Sequence, residues 1–414
     1  MKILVANLGS TSFKYRLFEL ADRPTPGAAE VELARGGVER IGAAESRVYA
    51  TMAPAAGKDD PRPVPLETTR TVPDHGVALE AALEQLNAAG GPLAGGGTVA
   101  AVGFKAVHGG RITGAVRVTA DVLAAMEEMA EVAPAHNPPY VHAMRTVMAR
   151  LPGVPLVAAF ETAFHATIPP RNALYAVPIA WADDHQVRRY GFHGASHRFV
   201  ATRLLEIVPR RPLRAISCHL GGSSSVCWLR DGVSVGTSMG MSPQSGLPQN
   251  NRAGDLDPFA ILHVARRTRR DYADLLGELS GRAGLAGMSG TSGDMRDLER
   301  AAAAGDDRAR TAIDVYVASI RHWLGAGIVE LGGLDAVAFA GGIGENAPAI
   351  RAAVLAGLSD LGITVDHPAN GAHAAVERPI AAAGAPVAVW VIPTNEELVV
   401  ARQTRDCLAS GGGG

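Results

Sequence analysis

The chain has 414 residues, 47% of them apolar, enough to bury a large core and to form two domains. A formal net charge of −2 points to neither a nucleic-acid nor an anionic-membrane partner. The three cysteines, Cys218, Cys227 and Cys407, are too few for a disulfide framework and fit a reducing, cytoplasmic setting. The opening MKILVANLGSTS reads as a poor signal peptide and is too short to span a membrane.

In chain order, KILVAN (2–7) is a short apolar run stopped by a Gly/Ser turn, and SFKYRLFEL (12–20) reads as its hairpin partner. VELARGGVER and SRVYATM follow as strands, and the Pro/Gly-rich stretches 53–67 and 90–98 read as loops. Between those loops, HGVALEAALEQLNAA has helical period. TVAAVGF (98–104) is a buried strand, TADVLAAMEEMAEVA is a helix capped by Thr119, and PLVAAFE (155–161) is another buried strand. A domain boundary falls near 161.

YGFHGASH (190–197) spaces His193 and His197 by four, as a zinc-binding helix does, but Gly194 stands where that motif carries its glutamate. LRAISCHLGGSSSVCWLRDG (213–232) then repeats the opening strand, Gly/Ser turn and strand: Leu8, Gly9 and Ser12 fall on Leu220, Gly221 and Ser224 at a constant offset of 212. A long helix at 306–331, the strand DAVAFA with the turn GGIGEN, the strand PVAVWVI and a last helix from Glu396 complete the chain. Two matching Gly/Ser hairpins half a chain apart suggest a duplicated α/β unit, and such turns present N–H groups and hydroxyls to anions. With the third glycine turn they predict a nucleotide cleft between two domains. There is no Walker A sequence.

At these residues the chain resembles the acetate kinases, whose fold is shared with sugar kinases, actin and heat-shock chaperones. The resemblance runs nearly the whole length, through VANLGSTSFKY, AVHGG, HNPP, FETAFH, RYGFHGASH, CHLGGSSSV, NRAGDLDP, SGDMRDL, GGIGENAP and PTNEEL. It implies two duplicated actin-like (ribonuclease H-like) domains: 1–161, completed by a C-terminal helix at about 397–410, and 162–396. It also implies a homodimer that transfers the γ-phosphoryl of ATP to a short carboxylate, with Mg²⁺ or, alternatively, Mn²⁺.

By the same resemblance, Asn7 and Glu396 hold the metal, directly or through water. Ser10, Ser12 and Lys14 form a first phosphate-facing turn; His219, Leu220, Gly221, Gly222 and Ser223 form a second. Asp294, Met295 and Arg296 lie on the adenosine side, with Gly342, Ile343, Gly344, Glu345 and Asn346 as a further nucleotide turn. Arg252 neutralises charge on the transferring group and His193 donates to it, as that chemistry requires. His136 is a further active-site histidine, and Val107, Phe192 and Pro243 form the acyl pocket. His197 reads as structural.

Five positions depart from the family pattern. Lys105 stands for an arginine that would orient the carboxylate, although lysines are rare here, at Lys2, Lys14, Lys58 and Lys105 only. Glu161 stands for an aspartate, Gly222-Ser223 for asparagine and glycine, and Ala135 for a bulkier leucine. These leave three rival readings: a kinase preferring propionate or butyrate, a pyrophosphate-using kinase, and a nucleotide-binding regulator without turnover.

Overall fold

The structure is a computed structural model that describes residues 1–9, 11–25, 27–53, 64–134, 136–372 and 376–411. Ser10 and Ala135 therefore lie outside the described residues. The chain divides into two compact units, one formed by Met1–Ala163 with Glu396–Gly414 and the other by Phe164–Asn395.

Among the described residues, the first unit is built on a sheet of strands β1 (Lys2–Gly9), β2 (Ser12–Glu19), β3 (Val31–Glu39), β4 (Ser46–Met52), β5 (Val64–Arg70), β6 (Ala101–Ala106), β7 (Ala115–Arg117) and β8 (Leu156–Phe160). Their order is β5-β4-β3-β2-β1-β6-β8-β7, with β1, β6 and β8 parallel and the rest antiparallel. Ile3, Leu4, Val5 and Ala6 are fully buried because β1 is covered on both faces, and this is why it reads as an unbroken apolar run. The C-terminal helix Glu396–Ala409 covers one of those faces. It lies so close to β6 that a Cβ on Gly103 would come within 2.2 Å of the Thr404 hydroxyl.

The second unit carries β9 (Arg214–Leu220), β10 (Ser224–Arg230), β11 (Val233–Thr237), β12 (Ala336–Ala340), β13 (Arg378–Pro379) and β14 (Ala388–Val391), ordered β11-β10-β9-β12-β14-β13. Its core order β11-β10-β9-β12-β14 repeats β3-β2-β1-β6-β8 strand for strand and direction for direction. This is the duplicated α/β, actin-like arrangement that the repeated hairpins suggest. The two hairpins nevertheless differ in register. Gly9 pairs with Ser12 across a two-residue turn, whereas Leu220 pairs with Ser224 across three residues.

The helices carry the caps that their sequences call for. Asp74 accepts from Val77 N–H at 2.9 Å and Thr119 from Val122 N–H at 3.3 Å. The 25-residue helix Asp307–Leu331 starts on Asp306 and closes at left-handed Gly332. Two expectations fail. The 53–67 loop ends early, because 64–67 belong to β5; its sequence VPLETTR carries a proline and no sustained apolar alternation, and residues 65–69 are exposed, yet it pairs with β4 along its whole length. GGIGEN is a helix, Gly341–Asn346, rather than a turn. Among the described residues, no helix is long and apolar enough to cross a membrane. Burial pushes the Cys218 and Cys227 thiols up to about 12, which keeps both as inert core side chains.

Asp335, at the start of the β12 segment, is 1% exposed and accepts from Arg214 Nη2 at 2.8 Å, Arg214 Nε at 3.0 Å and Arg210 Nη1 at 2.8 Å. Burial alone would raise its pKa, but the two guanidinium groups outweigh it and hold the carboxyl well below the usual carboxylate range. A depressed carboxylate stabilises the fold above its unfolded pKa, near 4, and loses that contribution as pH falls below it. Asp335→Asn is expected to cost ~1–2 kcal/mol at pH 7, because it weakens charge-assisted hydrogen bonds while both guanidinium groups keep contact with water. In urea titrations the gap between variant and wild type should narrow below about pH 4.

Candidate active site

In the first unit, the parallel strands β1, β6 and β8 end at one edge, where they deliver Asn7, Lys105 and Glu161. Lys105 donates from Nζ to Glu396 Oε2 at 2.7 Å, with side-chain exposures of 21% and 17%. Burial works against the ammonium, but Glu396 and then Glu161 outweigh it and hold the Lys105 pKa above the usual lysine range. Tyr140, in the helix Asn137–Arg150, donates to Asn7 Oδ1 at 3.1 Å and accepts from Leu8 N–H at 3.1 Å. Burial raises the Tyr140 pKa, so the phenol stays neutral and remains a donor. Lys14 sits directly across the ladder from Asn7, and both line a cavity of about 180 Å³ with Arg16 and Glu397. Ser12 opens β2 opposite Gly9.

His136 occupies the cap position of the Asn137–Arg150 helix without a side-chain capping bond, so it does not act as that helix's cap. Asn137 donates to the carbonyls of His108 and Met126 at 2.9 and 2.8 Å, which fixes the segment that carries half-buried Val107.

In the second unit, a cavity of about 410 Å³ is lined by Gly221, Gly222, Asp294, Met295, Arg296, Gly342, Ile343 and Asn346, with Asn250, Gly293, Glu299 and Ala347. Asp294 caps the helix Met295–Ala303 and pairs with Arg296; the hydrogen bond from Arg296 holds its carboxyl down at about 2. The other residues of these segments serve the scaffold. Leu220 is core, Gly344 packs under Phe339, and Glu345 Oε1 accepts from Gly341 N–H at 3.1 Å.

Gln249 is a hub beside this cavity. Its Oε1 accepts from Ser223 Oγ at 2.7 Å and Arg252 Nη1 at 3.0 Å, and its Nε2 donates to the Pro243 carbonyl at 2.8 Å. Arg252 also reaches the Pro243 carbonyl at 3.4 Å, and burial depresses its pKa.

The histidines lie on the same unit. His193 occupies the cap position of the helix Gly194–Ile207 without a side-chain capping bond and adopts φ +56, a left-handed conformation that is strained for a histidine, whereas Gly191 takes φ +74 at no such cost. A side chain at Gly191 would collide with the His165 ring. His165 donates from Nε2 to the Phe192 carbonyl at 2.9 Å, and burial lowers its pKa to about 4. His193 stacks on His219 with centroids 4.2 Å apart, and His219 Nδ1 bonds Ser196 Oγ at 2.7 Å.

The sequence pattern of the acetokinase family matches residues 2–402. The acetate kinase of Leifsonia xyli is 40% identical over 412 residues, covering 99% of both chains. That of Streptomyces griseus is 41% identical over 406 residues, covering 97% of this chain and 95% of the other. The chain belongs to the acetokinase family. Among solved structures, Porphyromonas gingivalis acetate kinase superposes with a TM-score of 0.85 at 34% identity, covering 98% of this chain and 99% of that one. A propionate kinase from Francisella tularensis gives 0.83 at 30%, covering 97% and 98%.

The residues expected of this acetokinase at a divalent ion are oxygen donors, Asn7 and Glu396, and Glu396 already faces a cation in Lys105. Among the described residues, no group of three His, Cys, Asp or Glu could hold a metal ion. Such a donor set fits Mg²⁺, which keeps waters and takes substrate phosphates as further ligands. Tyr140 and Gln249 escaped the sequence reading. Tyr140 lies three residues beyond Asn137, but nothing local marks it as a partner of Asn7, 133 positions away. Tyr140→Phe should leave Leu8 N–H and Asn7 Oδ1 without the phenol and cost ~1–3 kcal/mol of stability. Urea midpoints of the two proteins check this.

Proposed function

We propose that this acetokinase is an acetate kinase: it transfers the γ-phosphoryl group of ATP to acetate, reversibly and with Mg²⁺, giving acetyl phosphate and ADP. The observation that carries the reading is the 410 Å³ cavity, where four sequence-distant segments meet around glycine backbones and the Asp294–Arg296 pair. Its volume lies in the range of ligand sites, and the 294–296 segment along it favours a nucleotide over pyrophosphate.

Acetate is ionised at neutral pH, so its oxygen attacks the γ-phosphorus without a general base, and bond breaking to the ADP oxygen follows in line. Arg252, partly desolvated and aimed by Gln249, meets charge on the transferring group. His193 donates a hydrogen bond to the same group. Lys105 orients the carboxylate, while Glu161, buried in the field of Lys105, positions rather than abstracts a proton. Mg²⁺, held by Asn7 and Glu396, would supply charge neutralisation on the phosphates. Ser12, Lys14, Gly221 and Gly222 are assigned to the phosphates, Val107, Phe192 and Pro243 to the acyl group, His136 to the acetate end, and a homodimer in the cytoplasm is the working assembly.

Hydroxylamine trapping of acyl phosphate across a panel of short acids, with ATP or pyrophosphate as donor, tests this. Turnover of acetate with ATP is expected, and ATP binding without product from any acid would overturn the reading. Arg252→Ala should lower kcat by ~10²–10³, the loss typical of one positioned donor. Lys105→Arg replaces a point charge by a fork and should shift KM or the order of acid preference. Unchanged kinetics across the panel would refute a tuned lysine.

A further inference from the structure

His197 is fully buried, and both of its ring nitrogens are engaged by serine hydroxyls: Nδ1 with Ser217 Oγ at 2.9 Å and Nε2 with Ser225 Oγ at 2.8 Å. The same Ser225 oxygen lies 2.8 Å from His193 Nδ1. The four side chains thus form one continuous file, Ser217–His197–Ser225–His193, rooted in β9, the helix Gly194–Ile207 and β10. Burial holds the His197 pKa well below its ordinary value, so the ring is neutral and carries a single proton.

A hydroxyl has one proton, and so does a neutral imidazole. Ser225 cannot donate to both rings. If it donates to His197, then His193 must carry its proton on Nδ1 and its Nε2 becomes an acceptor. If it donates to His193 Nδ1, the proton of His193 is forced onto Nε2. In that second arrangement His197 gives Nε2–H to Ser225 and takes a proton from Ser217 at Nδ1. The three bonds run head to tail in either arrangement, but in the first the buried Ser217 hydroxyl would only accept, and among the described residues its own proton has no other acceptor; the second uses that proton, and each bond polarises the next.

We infer that Ser225 and His197 are positioning residues that keep neutral His193 in its Nε2–H form, so that this ring is a hydrogen-bond donor on the side away from Ser225. The inference rests on the role proposed above for His193, as a donor to the transferring phosphoryl group, and it supplies what that role needs. A neutral histidine with its proton on Nδ1 would present a lone pair to an anionic oxygen, which repels instead of binding. Stacking on His219 fixes the plane of the ring, and the file of hydroxyls fixes its tautomer.

The test is long-range ¹H–¹⁵N NMR of the full-length chain, labelled with ¹⁵N-histidine, with His193→Gln and His197→Gln used to assign the signals. Both rings should show the Nε2–H pattern at pH 7.5, and an Nδ1–H pattern at either ring overturns the file. Ser225→Ala should mix the His193 tautomers and lower kcat roughly 10–100-fold, the range seen when the partner that orients a functional histidine is lost. KM for acetate should change little, and Ser225→Thr, which keeps the hydroxyl, should recover most of the loss. Wild-type turnover in Ser225→Ala would sink the positioning role even if His193→Gln is inactive. Full activity in His193→Ala, which has no side-chain donor, would instead sink the donor role, and the NMR pattern would still decide the tautomer.

Discussion

Parallel pairing at the centre of each sheet is the constraint on which the rest depends. Because β1, β6 and β8 run the same way and are buried through their centres, their carboxyl ends must emerge at one edge. That edge collects Asn7, Lys105 and Glu161 from positions up to 154 residues apart. The same geometry in β9, β12 and β14 brings the 219–223 turn beside the 341–346 helix. The chemistry is therefore a by-product of strand direction: polar residues stand where buried strands run out of sheet.

Lys105 illustrates how such an edge is held. An ammonium in a half-buried place is costly unless carboxylates surround it, and the pairing with Glu396 provides one across 291 residues of sequence. That contact also ties the C-terminal helix to β6, against which Gly103 already lets it lie close. Stability and site chemistry here are one arrangement, so substitutions at 105 or 396 are expected to register in both.

Much of this was legible in the sequence because the signals were local. Apolar runs mark β1, β6, β8 and β12, hydroxyl and carboxylate caps mark helix starts, and the glycine motifs mark the segments that line the larger cavity. What escaped was set by tertiary pairing. β5 contains Pro65 and is exposed over 65–69, so only its ladder with β4 makes it a strand. GGIGEN is glycine-rich enough to read as a turn, yet it winds into a helix with the Glu345 carboxylate back-bonded to Gly341 N–H. Tyr140, Gln249 and Ser225 are ordinary residues made functional candidates only by partners far along the chain.

The one-residue difference between the two hairpins has its own consequence. Counted along the chain at the offset of the first strands, Lys14 would correspond to Val226, an apolar core residue. Counted across the ladder, Asn7 faces Lys14 and His219 faces Ser225, so Ser225 occupies the station of the lysine. From Asn7 to Lys14 the chain advances seven residues and from His219 to Ser225 only six, and one residue fewer between paired stations exchanges the inward and outward faces of the returning strand. Duplication supplied two copies of one scaffold; the one-residue shortfall in the second places a hydroxyl at the station where the first carries an ammonium.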